Sequence, residues 1–264
     1  MPGADVSVVI PLFDAEGSIE RCLRSVASQS LSVREVIVID DASAVSFEAP
    51  RPLPELAGSP ITVIRFPRNR GAAAARNAGV ARARGKYVAF LDADDAWLPE
   101  KIAVQYTLME AGGWSLSGHG YAFLPLAAGQ RCVALPPRSR AVARHEFIIT
   151  NPFFTPTVMA LRAGFKPFDE SFRRADDYKA WLENFRGGRT FLIDQVLAHG
   201  FKQPIGEGGL TGSVTAMHRG FMRVLVSLRR EGTVSSLFYL AATGTELCKL
   251  PLRFIRVVAK KMLR

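Results

Sequence analysis

Three carboxylates follow a short apolar run in the first half of the chain. Asp92, Asp94 and Asp95 come directly after residues 87–91, whose continuous apolar character predicts a buried strand. In open α/β sheets, ligands bind at the carboxyl ends of the strands. Clustered carboxylates repel one another unless a cation or hydrogen-bond donors neutralise them, and Mg²⁺ or Mn²⁺ bridging to phosphate would do so. The alternative is an acidic turn that caps a helix starting near Pro99.

The elements that must position these carboxylates alternate between strand and helix. Apolar runs predict strands at 6–10, 35–39, 61–66 and 87–91, and helical spacing predicts helices at 16–28 and 71–84. Gly85 is predicted to cap the second helix at its carboxyl end, and the Pro-rich stretch 50–60 predicts a loop or short helix. This alternation indicates an α/β fold with a parallel sheet flanked by helices on both faces.

The pattern becomes mixed after a predicted helix at 101–111. Short strands are predicted at 114–124, 131–135, 157–161 and 190–193, with a helix at 177–185. The glycine-rich stretch 203–213 predicts a mobile loop. Two helices follow, at 216–230 and 235–250, and Pro251 is predicted to end the second one.

Composition and charge narrow the class of protein. The chain has 264 residues, of which 48% are hydrophobic and 22% charged, so it can bury a core. Its net charge is +10; residues 219–264 contain 10 Lys+Arg and 2 Asp+Glu, a net +8, so the first 218 residues contribute only +2. The three cysteines are far apart and odd in number, which favours neither a disulfide framework nor a zinc site and suits a reducing cytosolic setting. The sequence shows neither a secretory signal nor an apolar run of transmembrane length.

The C-terminal tail carries most of the positive charge. Residues 250–264 contain five cations and no acids, and the apolar residues at 254, 255, 258 and 262 fall close to one helical face. This pattern is typical of a helix lying on an anionic membrane surface. The alternative is a helix that docks on the rest of the chain. We expect no nucleic-acid partner, because the tail contains no recognisable reader module.

Four ordered motifs resemble those of family-2 glycosyltransferases. Residues 7–14 resemble the form S-V-V-I-P-x-Y-N, and residues 35–43 resemble the family's second strand with its acidic end. Residues 69–79 resemble N-x-G…A-R-N-x-G, and residues 85–95 resemble G-x-Y-x-x-F-L-D-x-D-D. The chain departs from them at Phe13, where Tyr is usual, and at Asp14, where Asn is usual. The close resemblance covers about the first 110 residues. It implies a GT-A fold, a nucleoside-diphosphate sugar donor, a divalent metal (Mn²⁺ or Mg²⁺) and transfer with inversion.

The resemblance also implies roles for individual residues. Pro11 and Phe13 would line the base pocket, with Phe13 stacking on uracil, and Asp41 would accept a hydrogen bond from the base. Asp92 would approach the ribose or the metal, Asp94 would ligate the metal, and Arg76 would lie near the nucleotide. From the residues alone, Phe13 could instead be a core aromatic and Asp41 could only cap a turn.

A base must take the proton of the attacking hydroxyl in an inverting transfer. Residues 174–182 resemble the family's E-D-x-x-x-W-L segment, with Asp176 in place of Glu, and the resemblance makes Asp177 the catalytic base. The alternative is that both acids only cap the helix that follows, since its N-terminal dipole favours negative charge. Further downstream, Lys202 could reach the diphosphate and His199 could be a ligand, although a lone His is more often structural. The loop 206–212 would be a lid.

These observations lead to one main hypothesis and two alternatives. The main hypothesis is a metal-dependent inverting glycosyltransferase of cell-envelope polysaccharide synthesis, which uses a UDP-sugar by preference and a glycan or lipid-linked acceptor. Residues 1–213 would form the GT-A domain, divided into a donor half (1–110) and an acceptor half (111–213), and residues 214–264 an appended helical segment. We expect a cytoplasmic protein, peripheral on the inner face of the plasma membrane. The alternatives are a polyprenyl-phosphate glycosyltransferase and an inactive GT-A scaffold at the membrane.

Overall fold

The computed structural model describes residues 3–47, 59–123, 137–201 and 213–262, with side chains of the last helix described as far as Arg253. The strands are β1 (Ala4–Leu12), β2 (Val33–Asp40), β3 (Ile61–Arg65), β4 (Tyr87–Phe90), β5 (Ala96–Trp97), β6 (Leu116–Ala122), β7 (Ser139–Ala141), β8 (Met159–Leu161) and β9 (Thr190–His199). The helices are α1 (Glu16–Ala27), α2 (Ala72–Arg82), α3 (Lys101–Gly112), α4 (Glu146–Ile149), α5 (Asp176–Asn184), α6 (Val214–Arg230) and α7 (Ser236–Met262). The predicted strand at 131–135 and the predicted loop at 203–213, except its last residue, lie outside the described residues, as does most of the stretch 50–60.

One mixed sheet joins these strands in the order β3-β2-β1-β4-β8-β6-β9-β5, with β7 on β9. The first four strands are parallel, as their apolar runs predict. Their carboxyl ends therefore lie along one edge of the sheet, and the loops after β1, β2 and β4 meet there. Antiparallel pairing through β8 then attaches β6 and β9, which are parallel to each other. The fold prediction, a mixed GT-A-like sheet flanked by helices, is confirmed.

Two predicted strand boundaries were wrong. A strand was predicted over 157–161, but a 3-10 turn occupies Thr155–Thr157 and β8 covers only Met159–Leu161. A strand was predicted over 190–193, but β9 continues to His199. The register of β9 against β6 shifts around Gly120, opposite Asp194 and Gln195. The bulge accommodates the polar residues Asp194 and Gln195 within β9, so the strand continues past the position where it was predicted to end.

Gly85 does not cap α2, contrary to the prediction. The helix ends at Arg82, and Ala83 follows in an extended conformation. A Cβ atom on Gly85 would instead lie 2.6 Å from the backbone nitrogen of Ser7 in β1. Glycine is therefore required here because β1 passes so close to the chain.

Aromatic packing anchors the helix that carries the predicted base. Trp181 of α5 is fully buried, and its ring lies 5.6 Å from that of Phe90 in β4 and 5.3 Å from that of Phe168 (centroid to centroid). Burial of a side chain this large contributes about 3 kcal/mol. The start of α5 is therefore fixed against the end of β4, where the acidic turn begins.

The C-terminal helices pack on this core. Phe221 of α6 lies 4.4 Å from Tyr178 of α5, ring to ring, and Val224 and Phe238 belong to the same apolar cluster as Val9 and other sheet residues. The division of the chain at residue 213 stays a prediction. No helix within the described ranges is long and apolar enough to cross a membrane.

The predicted end of the last helix at Pro251 was wrong, because α7 continues through it to Met262. Proline removes one backbone donor and frees the carbonyl of Leu247, four residues earlier. Leu247 and Pro251 are both exposed, so water can solvate that carbonyl and the helix tolerates the proline.

Candidate active site

A buried arginine joins the acidic turn after β4 to the start of α5. The Nη2 atom of Arg76 donates to Asp92 Oδ1 at 2.8 Å, and its Nη1 atom donates to Asp176 Oδ2 at 3.2 Å. Only 8% of the Arg76 side chain is exposed. Burial disfavours its charge, but Asp92 and Asp176 outweigh that effect and raise the pKa of Arg76. Three residues that lie up to 100 positions apart are thus brought into one ion-paired cluster.

Asp177 lies beside this cluster and is held from the other side. Its Oδ2 atom accepts a hydrogen bond from Asn151 Nδ2 at 2.9 Å. Burial and the neighbouring Asp176 raise the pKa of Asp177 to about 6, against a lowering by the backbone N–H of Tyr178. Burial also raises the pKa of Asp176. A carboxylate with a pKa near neutrality is suited to take and release a proton.

The backbone before α5 is unusual. Ala175, the residue preceding the helix, has φ 58° and ψ 18°, which is the left-handed region that a residue with a Cβ atom rarely adopts. This conformation places Asp176 and Asp177 in the first turn of α5 without a side-chain cap from Ala175. The N–H of Tyr178 interacts with the carboxyl group of Asp177. Asp177 therefore makes the helix-capping contact that was the alternative to a catalytic role.

Phe13 is not a core aromatic. Half of its surface is exposed, in the loop after β1, so the alternative of a buried core position is excluded. The loop is tied to the one after β2, because Asp14 N donates to Ser43 Oγ at 3.1 Å and Ala44 N donates to Asp14 Oδ1 at 2.8 Å. Asp14 has a φ of 45°, which Asp and Asn tolerate better than most residues. Pro11 lies in β1 opposite Ile39 of β2.

Asp41 is buried and braces the loop before α2. Its two carboxylate oxygens accept hydrogen bonds from Arg70 N at 2.6 Å and Gly71 N at 2.7 Å. Asp41 therefore has the turn-holding function that was the alternative to base recognition. Each carboxylate oxygen of Asp41 has a second lone pair, so a nucleobase could donate a further hydrogen bond to it.

The acidic turn suits a divalent ion that also binds phosphate. Asp94 and Asp92 are partly exposed, whereas Asp95 is buried and accepts a 2.7 Å hydrogen bond from Tyr121 Oη. Within the described ranges, no group of three or more His, Cys, Asp or Glu side chains converges on a point where a metal could sit. Mg²⁺ is commonly held by one or two carboxylates plus substrate phosphates and water, and Asp92 and Asp94 fit that donor set.

The two downstream candidates have different outcomes. His199 ends β9 opposite Ala96, next to the acidic turn, and its buried Nδ1 atom has no hydrogen-bond partner within the described ranges. Burial lowers its pKa, so the imidazole is neutral and can act as a ligand or acceptor. Lys202 and the proposed lid at 206–212 lie outside the described residues.

Two residues of the site were not identified from the sequence. Asn151 holds Asp177, and Tyr121 holds Asp95. Neither lies in a motif with a recognisable spacing, because each contact is made between elements that are remote in sequence. The signal for Asn151 is the stretch 151–159, which resembles the segment that leads into the acceptor site of family-2 glycosyltransferases.

Comparison with known proteins agrees with this architecture. Residues 7–121 match the family model described as Glycosyl transferase family 2. This match to glycosyltransferase family 2 covers 115 of the 264 residues. The match spans β1 through β6 and includes the acidic turn, Arg76 and the loop that carries Phe13.

Individual glycosyltransferases are also similar to this chain in sequence. TuaG of Bacillus subtilis, a glycosyltransferase assigned to teichuronic acid biosynthesis, is 37% identical over 119 residues, or 45% of this chain and 47% of TuaG. The chain thus matches about half the length of TuaG. WfgD of Escherichia coli, a UDP-Glc:α-D-GlcNAc-diphosphoundecaprenol β-1,3-glucosyltransferase, is 28% identical over 189 residues, which cover 72% of this chain and 73% of WfgD.

A solved structure shares the fold. The crystal structure of S. aureus TarS 1-349 in complex with UDP superposes with a TM-score of 0.66 at 17% identity, covering 92% of this chain and 71% of that one. At this identity the likeness concerns the fold, and it confirms the GT-A architecture.

Proposed function

We propose that this chain transfers a sugar from a nucleoside-diphosphate sugar to an acceptor hydroxyl, with inversion at the anomeric carbon, in surface-polysaccharide synthesis. The observation that carries the proposal is the ion-paired cluster of Asp92, Arg76 and Asp176 with Asp177 beside it. The cluster places a carboxylate of raised pKa next to the acidic turn. The match to family 2 and the polysaccharide relatives support the assignment.

Asp177 is the catalytic base in this proposal. As the acceptor oxygen bonds to the anomeric carbon, the bond from that carbon to the diphosphate oxygen breaks, and the hydroxyl proton moves to a carboxylate oxygen of Asp177. Asn151 orients the carboxylate through its 2.9 Å hydrogen bond. Arg76 fixes Asp92 and Asp176 on either side, so the base and the acidic turn keep a constant relation.

Asp94 and Asp92 would hold a divalent cation, Mn²⁺ or Mg²⁺, with His199 as a further candidate contact. When bound, the ion would neutralise charge on the leaving diphosphate. The carboxylate donors and the partnerless Nδ1 atom of His199 support this assignment. A related fold, PcManGT of Pyrobaculum calidifontis, was solved with GDP-Man and Mn²⁺ (TM-score 0.61).

The donor pocket would be formed by the loops after β1 and β2. Phe13 is exposed where a base could stack on it, Pro11 precedes it, and Asp41 directly follows the neighbouring strand β2. UDP is the preferred nucleotide in this proposal, because WfgD is named for UDP-Glc and TarS was solved with UDP.

The acceptor would be a glycan or a lipid-linked glycan. WfgD is named for an acceptor sugar joined through diphosphate to undecaprenol. A polyprenyl-phosphate acceptor and an inactive scaffold remain the alternatives. An inactive scaffold is disfavoured by the raised pKa and the specific Asn151 contact of Asp177, which a merely structural helix start does not need.

A peripheral membrane position belongs to the same proposal. One face of α7 packs on the domain through Phe238 and Ala242, while Leu237, Leu240 and Leu247 are exposed, by 78%, 65% and 52%. Exposed leucines on a helix in a segment of net charge +8 suit an anionic bilayer surface. A second copy of the chain is a poorer partner for this face, because two such segments repel each other.

Vesicle flotation tests the membrane position. The protein should float with vesicles that contain phosphatidylglycerol and not with pure phosphatidylcholine, and the double variant Leu240→Glu/Leu247→Glu should stay in solution. Removal of residues 253–264 should also release it. Flotation that neither change affects would refute the membrane proposal and leave the transferase proposal intact.

Calorimetry tests the donor half. We expect one of UDP, GDP and TDP to bind tightly only with Mn²⁺, and Asp94→Ala to abolish the metal dependence. Asp177→Asn should bind the nucleotide normally while turnover falls by at least a hundredfold. Failure of all three nucleotides to bind would favour the inactive scaffold, and loss of nucleotide binding in Asp177→Asn would contradict its assignment as the base.

A further inference from the structure

A cleft of about 590 Å³ opens beside the acidic turn. Its walls come from β6, β7, β9 and the segment before the 3-10 turn, and they include His119, Tyr121, Arg138, Pro152 and Phe154. The volume is within the range of small-molecule sites. None of the residues assigned above to the donor or to the metal lines this cleft.

Three aromatic rings form a platform at this cleft. Tyr121 and Phe154 stack with centroids 5.2 Å apart and an interplanar angle of 18°, and Phe123 meets both rings edge-on at 5.3 and 5.5 Å. Phe154 is 45% exposed and Phe123 is 38% exposed. Large aromatic side chains grouped together at the surface indicate a binding function more often than a packing function.

The platform is connected to the reacting groups on two sides. Tyr121 Oη donates to Asp95 Oδ1 at 2.7 Å, which attaches one ring to the acidic turn. Pro152 follows Asn151, whose side chain donates to Asp177 at 2.9 Å. A molecule bound in the cleft would thus touch the segments that hold the acidic turn and the proposed base.

The polar groups of the cleft suit a neutral ligand. Arg140 is already paired with Glu146 through two hydrogen bonds of 2.8 Å, and Arg138 faces a cleft that Asp194 also lines. Among the described residues at the cleft, the positive and negative charges therefore balance, with no surplus cation for a phosphate. His119 is buried, and its Nδ1 atom is 2.8 Å from Gly120 O. Burial lowers the pKa of His119 to about 3, so its imidazole is neutral and adds no charge to the cleft.

We propose that the platform of Tyr121, Phe123 and Phe154, with the adjoining cleft, binds the neutral pyranose ring of the acceptor. The apolar C–H face of the sugar stacks on the exposed ring of Phe154. Phe154 is thereby a specificity residue for the acceptor. This inference rests on the proposed transferase function and names the acceptor contact that the function needs.

Saturation-transfer NMR tests the proposal without requiring turnover. The probes are the methyl pyranosides of glucose, galactose, mannose and N-acetylglucosamine, each added to the free protein. We expect at least one to receive saturation at its ring C–H protons. Phe154→Leu, which keeps apolar bulk but removes the aromatic face, should weaken that binding about two- to tenfold, and Phe154→Tyr should retain it.

Leu237→Ala is the matched control, because it alters an exposed apolar side chain on α7, on another part of the surface. It should leave the sugar signal unchanged. No signal from any of the four pyranosides, or a signal that Phe154→Leu does not weaken, would overturn the proposal. Calorimetry with UDP, GDP and TDP on the same proteins separates the two hypotheses: sugar binding without binding of any of these nucleotides would refute the transferase function and leave the sugar subsite in place.

Discussion

Asp177→Asn should make the folded protein more stable at neutral pH while it abolishes sugar transfer. Burial and Asp176 raise the pKa of Asp177 to about 6, from an ordinary value of 3.8, so the folded protein keeps this carboxylate charged against its surroundings. Asparagine has the same shape and no charge. It also retains an oxygen that can accept the hydrogen bond from Asn151.

The size and pH dependence of the gain follow from the two pKa values. Because the pKa in the folded state lies above that in the unfolded state, the folded state binds the proton more tightly, and stability is lost as the pH rises from about 4 to 6. The gap between 3.8 and about 6 corresponds to about 3 kcal/mol. Above pH 6, the free energy of unfolding of Asp177→Asn should therefore exceed that of the wild type by up to about 3 kcal/mol. This difference should decrease towards zero as the pH falls to 4.

Urea denaturation at pH 7.5 and pH 4.5 measures the size of the stability gain and its dependence on pH. Asp169→Asn is the control of opposite sign, because the hydrogen bonds from Lys179 and Ser171 outweigh burial and lower the pKa of Asp169. That variant should lose stability at pH 7.5. The reasoning is refuted if Asp177→Asn is no more stable than the wild type at pH 7.5, or if its advantage is as large at pH 4.5.

Three further predictions concern other contacts. Arg76→Met should lower the free energy of unfolding by about 2 to 3 kcal/mol at pH 7, because two partly buried carboxylates lose their partner; a loss under 1 kcal/mol in urea denaturation would contradict this. Gly85→Ala should lower the melting temperature by several degrees, since its Cβ would lie 2.6 Å from a β1 backbone nitrogen, whereas the control Gly187→Ala, with nothing within 4 Å, should not. In the native protein iodoacetamide should label the exposed Cys248 and spare Cys22, whose burial raises its pKa; mass spectrometry that finds Cys22 labelled at a similar rate would count against the buried environment.

The parallel half of the sheet could be predicted because its signal is local. Residues 6–10 and 36–39 are short, mainly apolar runs rich in Val and Ile, and this composition favours strands buried on both faces. The carboxylates at 92–95 could be placed for the same reason, since a loop that follows a buried parallel strand must lie at the ligand edge of the sheet.

The rest depended on contacts that no local pattern encodes. Arg76 was expected near the nucleotide. No local pattern indicated that it joins Asp92 to Asp176, which lies 100 residues after Arg76 in the chain. The role of Gly85 depends on how closely β1 passes, and the continuation of α7 beyond Pro251 depends on which side of the helix faces water. In each case tertiary structure overrode a correct local preference.

The charge balance of the cluster explains why donor and cation should bind together. One arginine faces the carboxyl groups of Asp92, Asp176 and Asp177, so acidic groups outnumber the cation in this cluster. A diphosphate that enters beside it adds further negative charge, and at short range in a partly buried site this repulsion is large. Both terminal nitrogens of Arg76 already bind carboxylates, so its charge is offset within the cluster. A divalent ion at Asp94 would supply the missing positive charge, and we therefore expect nucleotide affinity to depend on the cation more steeply in the wild type than in Asp177→Asn.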